Sequence, residues 1–396
     1  MTDFLPYGHQ LIEDDDVAAV VDVLGSDFLT TGPAVEAFET ALAAAVGARH
    51  AVVCSSGTAA LHLAAMALRL GPDDAVVVPT LTFLATASSV RYVGAEVVFA
   101  DVDPETGLMR PDDLTAALAR PAGDKATAVF PVCYAGQSPD REAMAAAADG
   151  RSLVYDSSHA LGTTLGGDGR VGDVKGAAME TFSFHPVKTI AMGEGGAVTT
   201  TDDALAVRLR RLRNHGMVHD ADDFTARDQA FAPDGRPNPW YHELQELGLN
   251  YRASDIHCAL ALSQLRKLDR FSAARRALVA HYDALLALHA PGLRPLGRVP
   301  GCEPAWHLYV ALIDFASLDR SRADVMAGLR AKGIGTQVHY IPVHRQPYYR
   351  ERYPDVSLPG ADAFYQRALT LPLSAGMTEN DVERVVAALI GELGLG

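Results

Sequence analysis

Cysteine, lysine and long apolar runs are all scarce in this chain of 396 residues. Its four cysteines (Cys54, Cys133, Cys258 and Cys302) stand far apart, without the paired spacing of a zinc site or disulfide framework. They read as buried thiols in a reducing compartment. Positive charge is in deficit: 34 Lys and Arg face 49 Asp and Glu, a formal net charge of −15. Such a surface repels nucleic acid and anionic membranes, so an anionic ligand must be held by a local set of donors. The Ala-rich region is broken by Arg49, His50, His62 and Arg69 and falls short of membrane-spanning length. The start, Met1-Thr-Asp-Phe-Leu-Pro, lacks a basic segment followed by an apolar one, which predicts no signal peptide and a cytoplasmic protein. There is no Gly-Lys-Ser/Thr phosphate loop. Gly167-Asp-Gly-Arg-Val-Gly172 matches a dinucleotide fingerprint in letters, but it leads into a strand instead of opening a helix. The histidines show no metal-like pairing, so no metal is expected.

What is present is an ordinary globular composition, 48% hydrophobic and 21% charged. The length favours two domains. Through the first half, short β-rich runs alternate with Ala/Leu-rich helical stretches. The strands are His50–Cys54, Ala75–Val78, Glu96–Ala100, Ala128–Val132, Ser152–Tyr155 and Met179–Phe184. A helix is expected over Thr58–Leu70, and others begin near Ala85, Asp112 and Asp140. Apolar strands without strict alternation predict an α/β fold with a mostly parallel sheet covered on both faces. The polar, Pro-containing stretch Phe224–Trp240 reads as a surface loop. A long helix from Ala253 to about Leu288 then leads into a smaller α+β domain. There, strands Leu308–Ile313 and Thr336–Tyr340 flank a helix Arg322–Lys332, and a last helix lies near Glu379–Leu393. The expected division is 1–252 and 253–396.

Three segments carry chemistry. Ser55-Ser56-Gly57-Thr58-Ala59-Ala60 sits where a strand hands over to a helix, where small residues and helical N–H groups suit a phosphate or a plain N-cap. Tyr155-Asp156-Ser157-Ser158-His159 closes a strand, and parallel sheets bind ligands at the carboxyl ends of their strands. Phe182-Ser183-Phe184-His185-Pro186-Val187-Lys188 leaves a strand and ends in a lysine shortly before Gly193-Glu-Gly-Gly196. Only Lys125, Lys175, Lys188, Lys267 and Lys332 exist, and Lys188 has the longest uncharged flanks. An amine, a carboxylate, phosphate donors and an aromatic cover are the demands of pyridoxal phosphate chemistry. Each has a candidate here.

Taken together, Ser-Ser-Gly-Thr-Ala-Ala-Leu, Asp-Ser-Ser-His-Ala-Leu-Gly, Ser-Phe-His-Pro-Val-Lys with Gly-Glu-Gly-Gly-Ala-Val, Arg-Asn-His-Gly and Leu-Asn-Tyr-Arg-Ala-Ser-Asp-Ile resemble the nucleotide-sugar aminotransferases of the DegT type. The resemblance runs from Tyr7-Gly-His-Gln through the closing helix and implies fold type I of the pyridoxal-phosphate transferases. It implies Lys188 as the lysine that forms an imine with the cofactor and shuttles protons, and Asp156 as partner of the ring nitrogen. His159 would sit by the ring hydroxyl and Phe83 would stack on the ring. Ser56, Gly57, Thr58 and Ser183 would hold the phosphate, joined by Asn250 from the second subunit of a homodimer. Tyr7, Thr30, Thr31, His185, His339 and Tyr340 would surround the sugar nucleotide. Thr336-Gln-Val-His-Tyr-Ile-Pro-Val-His344, Pro347-Tyr-Tyr349 and Leu262–Leu268 are most similar to the members of the pseudaminic-acid pathway. Those members use L-glutamate to aminate the 4-keto group of a UDP-linked N-acetyl dideoxy sugar. Thr189 and Ala191-Met192 depart from the family pattern beside the lysine. Relatives that dehydrate their sugar typically carry histidine in place of the lysine, so Lys188 points to transamination.

Overall fold

The computed structural model of the chain describes residues 4–290 and 292–395; Met1–Asp3, on which part of the leader reading rests, lie outside them. The main sheet has seven strands: β1 (His50–Cys54), β2 (Ala75–Pro79), β3 (Glu96–Ala100), β4 (Ala126–Val129), β5 (Ser152–Asp156), β6 (Met179–Ser183) and β7 (Gly196–Thr200). Their order is β1-β7-β6-β5-β4-β2-β3. Strands β6, β5, β4, β2 and β3 pair in parallel, while β7 runs antiparallel to both β6 and β1. Alternate residues of β2 enter different cores. Val76 and Val78 pack on one face with Leu61 and Phe99, and Ala75 and Val77 on the other with Val98 and Leu153. Both faces are thus buried, as the continuous apolar strands predict.

Because β1 is antiparallel to β7, and β7 to β6, β1 and β6 point the same way as the parallel strands. The carboxyl ends of β1, β5 and β6 therefore share one edge of the sheet, which is where ligands bind in such folds. Strand β4 ends earlier than its sequence predicts. The ladder stops at Val129, before Pro131, which has no N–H to donate, and pairing with β5 resumes as a single parallel bridge of Val132 with Asp156, through Asp156 N–H to Pro131 O (2.8 Å) and Cys133 N–H to Asp156 O (2.9 Å).

The expected helix 253–288 is two helices, Asp255–Leu265 and Leu268–His289, broken at Arg266-Lys267. Lys267 leaves the first helix to meet Asp15 and Asp16, each 2.7 Å away, with Glu13 at 3.2 Å. The C-terminal sheet comprises β8 (Arg294–Pro295), β9 (Tyr309–Leu312) and β10 (Ala368–Leu371), all antiparallel. Helices Leu268–His289 and Glu379–Leu393 cover it through Leu278, Tyr282, Val385 and Leu389. The strand expected at Thr336–Tyr340 is absent. That segment makes a single bridge, Gln337 to Thr370, and includes a cis His339-Tyr340 peptide bond. The N-terminal segment packs here too, through Leu5 N–H to Gly333 O and Leu373 N–H to Tyr7 O. Among the described residues, no helix is long and apolar enough to cross a membrane.

Candidate active site

At the shared strand edge lies a cavity of about 580 Å³. Its floor begins where β1 turns into the helix Gly57–Ala67. Ser56 caps that helix, its hydroxyl accepting from the Ala59 N–H at 3.0 Å. Glycine at 57 is dictated by packing: a Cβ there would lie 2.7 Å from the Ser183 Cβ at the end of β6. The helix N-terminus, Thr58 and Ser183 so form a small cradle of donors, open to the cavity and suited to a phosphate.

Asp156, at the end of β5, is buried and points into the same space. Its Oδ2 accepts from Thr86 Oγ1 (2.7 Å), and its Oδ1 from the Ser158 hydroxyl (2.6 Å) and N–H (3.1 Å). These charge-assisted bonds hold the carboxylate in one orientation. Lys188 follows a turn closed by its N–H to His185 O (2.8 Å). Burial pulls its ammonium down to about 8, with Asp156 opposing the shift.

Aromatic rings and histidines make the upper wall. Phe83 caps the helix Leu84–Tyr92 at the mouth, its ring 6.0 Å from that of Tyr340. His159 accepts at Nδ1 from the Ala135 N–H (3.3 Å) and meets the Tyr340 hydroxyl at Nε2 (3.0 Å). His339 bonds Thr370 Oγ1 (2.9 Å), packs against Tyr7 with ring centroids 5.2 Å apart, and is driven down to about 3 by burial and Lys188. Burial also raises Tyr7 above the ordinary tyrosine range. His185 lines the cavity from the lysine turn and is exposed.

The fold therefore gathers Lys188, Asp156, His159, Ser56, Gly57, Thr58, Ser183, Phe83, Tyr7, His185, His339 and Tyr340 around one space. Thr30, Thr31 and Asn250 do not line this cavity of the single chain. Thr30 bridges to Ser254, Thr31 takes a left-handed φ of 56°, and Asn250 bridges to Asn214; all three are exposed. Glu194, His307, Gln337 and Gln346 line it without having been given a site role from the sequence, although Glu194 and Gln337 stand within quoted motifs. His307 comes from Ala-Trp-His-Leu-Tyr just before β9, an apolar context that reads as core. Thr86 and Ser158, which grip Asp156, are common residues whose partner lies far off in sequence or, for Ser158, within its own turn.

An amine with a lowered pKa, a fixed carboxylate, a phosphate cradle and an aromatic cover fit pyridoxal phosphate. Residues 10–390 match the DegT/DnrJ/EryC1/StrS aminotransferase family. The chain belongs to that family. Among solved structures it is similar to PseC of Helicobacter pylori, an aminotransferase involved in the biosynthesis of pseudoaminic acid. The two are 27% identical, with a TM-score of 0.88 over 99% of this chain and 100% of that one. The putative sugar aminotransferase Spr1654 of Streptococcus pneumoniae in its PMP-form is 27% identical, with a TM-score of 0.87 over 98% and 99% of the two chains. S. venezuelae DesV is 30% identical, with a TM-score of 0.83 over 99% of each chain. This member of the aminotransferase family is a sugar aminotransferase that uses pyridoxal phosphate.

Proposed function

We propose that this enzyme moves an amino group from L-glutamate to the 4-keto carbon of a UDP-linked N-acetyl dideoxy sugar, the step that pseudaminic-acid biosynthesis requires. Bound pyridoxal phosphate supplies a carbonyl that takes up an amino group and a ring that withdraws electrons from the neighbouring carbon. Lys188 would be the residue that holds the cofactor's carbonyl, and its free Nζ would take the proton from the α-carbon of glutamate and later deliver a proton to C4 of the sugar. A group that serves as base and then as acid works best with a pKa near the working pH, and a Lys188 ammonium at about 8 meets that need. Asp156, held by Thr86 and Ser158, would keep the ring nitrogen protonated. Gly57, Thr58 and Ser183 would hold the phosphate, with Ser56 shaping the turn, and Phe83 would cover the ring.

Tyr7, His185, His339 and Tyr340 face the sugar nucleotide. Thr30, Thr31 and Asn250, exposed and outside the cavity of their own chain, serve the cavity of the second protomer of a homodimer. The observation that carries the reading is the lining of one cavity by Lys188, Asp156 and the Gly57–Ser183 cradle. Support for the sugar comes from the likeness to PseC, whose printed role is in pseudoaminic acid biosynthesis, although identity to it is no higher than to DesV. The test is a panel of UDP-, GDP- and dTDP-linked 4-keto sugars with glutamate. Turnover is expected with the UDP-linked N-acetyl sugar. Preference for a GDP- or dTDP-linked sugar overturns the proposed substrate, and failure on all three overturns the keto-sugar class.

A further inference from the structure

Between Tyr7 and Glu13 the N-terminal segment runs beside the turn that carries Lys188. Gly8 packs on Val187, where a Cβ would stand 3.5 Å from the valine Cβ. A little further on, the Leu11 carbonyl accepts from Gln264 Nε2 at 2.9 Å. Among the described residues, this is the only hydrogen bond between the backbone of residues 8–12 and any residue outside them.

Gln264 is buried and uses both ends of its amide. Nε2 also donates to Asp16 Oδ2 (2.7 Å), and Oε1 accepts from the buried Ala191 N–H (3.3 Å). A carbonyl and a carboxylate can only accept and an N–H can only donate, so these partners fix which way the amide faces. Asp16, fully buried, is held in turn by the Ser263 hydroxyl (2.7 Å), the Glu13 N–H (2.9 Å) and Lys267 (2.7 Å). One side chain thus ties the N-terminal segment, just past Tyr7, to the lysine turn, just past Lys188.

The two segments are not equally secured. The lysine turn has bonds of its own, Lys188 N–H to His185 O (2.8 Å) and Met192 N–H to Phe184 O (2.9 Å). The N-terminal segment is held before Gly8 by the small domain alone, through Leu373 N–H to Tyr7 O (3.0 Å) and the bonds of Leu5 with Gly333 and Gly335. Loss of the Gln264 amide therefore frees the stretch around Tyr7 more than it frees Lys188.

We propose that Gln264 is a positioning residue for the sugar half of the reaction: it fixes Tyr7, on one wall of the cavity, relative to Lys188 on another. The inference rests on reading the cavity as the site of aminotransfer with Tyr7 toward the sugar. Gln264 itself touches no ligand.

Gln264→Met keeps the reach and apolar bulk of the side chain and removes all three bonds. In single-turnover measurements on the holoenzyme it should slow amination of the keto sugar by roughly ten- to a hundredfold, the scale of a misplacement of about 1 Å, and slow the reaction with glutamate by less than about threefold. Gln264→Glu keeps the acceptor for the Ala191 N–H and loses both donors, with Lys267 nearby to offset the added charge, and should change the ratio of the two rates in the same direction; should one variant not fold, the other carries the test. Ser263→Ala is the control, since it removes a bond to Asp16 yet touches neither Leu11 nor Ala191. It should leave the ratio at the parent's value. Equal slowing of both half-reactions in the Gln264 variants, or the same change of ratio in Ser263→Ala, overturns the proposal.

A second readout needs no reaction. In cofactor-free protein the amides of Leu5 and Leu373, bonded to Gly333 O and Tyr7 O, should exchange hydrogen roughly tenfold faster in Gln264→Met than in the parent, while the Phe184 N–H, bonded to Gly195 O, keeps its rate. Unchanged exchange at Leu373 overturns the proposal. A parent that aminates no keto sugar, with the exchange result as expected, would count against the aminotransfer reading and leave the tie between the two segments standing.

Discussion

Lys188 is a strained charge in the cofactor-free fold, and replacing it with methionine should make the protein more stable at neutral pH. Burial takes its ammonium from 10.5 down to about 8. A fall of about 2.5 pH units, at about 1.4 kcal/mol each, means that the charged lysine costs the fold about 3.5 kcal/mol. Met keeps most of the aliphatic volume and removes the charge. Below pH 8, folded and unfolded chains both carry the proton, so the whole penalty is present. Between about 8 and 10.5 the unfolded chain still binds a proton that the folded chain has lost, so the parent gains stability as pH rises. The advantage of Lys188→Met should thus reach about 3.5 kcal/mol at pH 7 and fade toward zero near pH 10.5. Urea unfolding of cofactor-free parent and variant at several pH values reads the difference directly. An advantage that does not vary between pH 7 and pH 10.5, or none at pH 7, would refute the reasoning that burial tunes this amine.

Gly57→Ala should weaken pyridoxal phosphate binding at least tenfold while the chain still folds, because the new methyl meets Ser183 at 2.7 Å and spreads the phosphate cradle; equilibrium dialysis of the cofactor checks it. Arg141→Met should cost about 3–5 kcal/mol in unfolding free energy, since it leaves the fully buried Glu180 carboxylate with only the Ser157 hydroxyl and the Val174 N–H as partners. A loss below about 1 kcal/mol would show that this pair, which lies directly beneath the Asp156 turn, is not what holds Glu180. If Asn250 serves the cavity of a second protomer, as proposed, mixing Asn250→Ala chains with Lys188→Ala chains should raise activity above that of either parent, because one cavity of a mixed dimer would then be intact; no gain on mixing removes Asn250 from the partner's site.

The main sheet was legible because β2, β3 and the middle of β5 are apolar runs without strict alternation, bounded by turn residues and separated by helical stretches, a pattern that suits a parallel sheet covered on both faces. The cavity positions of Lys188 and Asp156 were legible for a related reason: Asp156 ends β5 and Lys188 lies in the turn beyond the end of β6, at the sheet edge where ligands bind in such folds. What escaped reading depends on contacts distant in sequence. The apolar pattern of 253–288 gives no sign of the break at Arg266-Lys267, where Lys267 meets Glu13, Asp15 and Asp16, some 250 residues earlier in the chain. Thr336–Tyr340 has strand-forming residues and pairs once with the free edge of β10, at Gln337 and Thr370, but Gln337–Tyr340 otherwise line the cavity and extend no ladder. His307 reads as core in sequence and is core by burial, at 4% exposure; only its neighbours His159 and Lys188 reveal that it borders the site. Thr30, Thr31 and Asn250 carry no local feature that would show they lie outside the cavity of their own chain.

The most direct test is to reduce the holoenzyme with borohydride, digest it and locate the pyridoxyl group by peptide mass. The adduct should sit on Lys188 alone, with Asp156→Asn protein forming the same adduct while losing turnover. An adduct on Lys125, Lys175, Lys267 or Lys332, or none at all, would contradict the central claim.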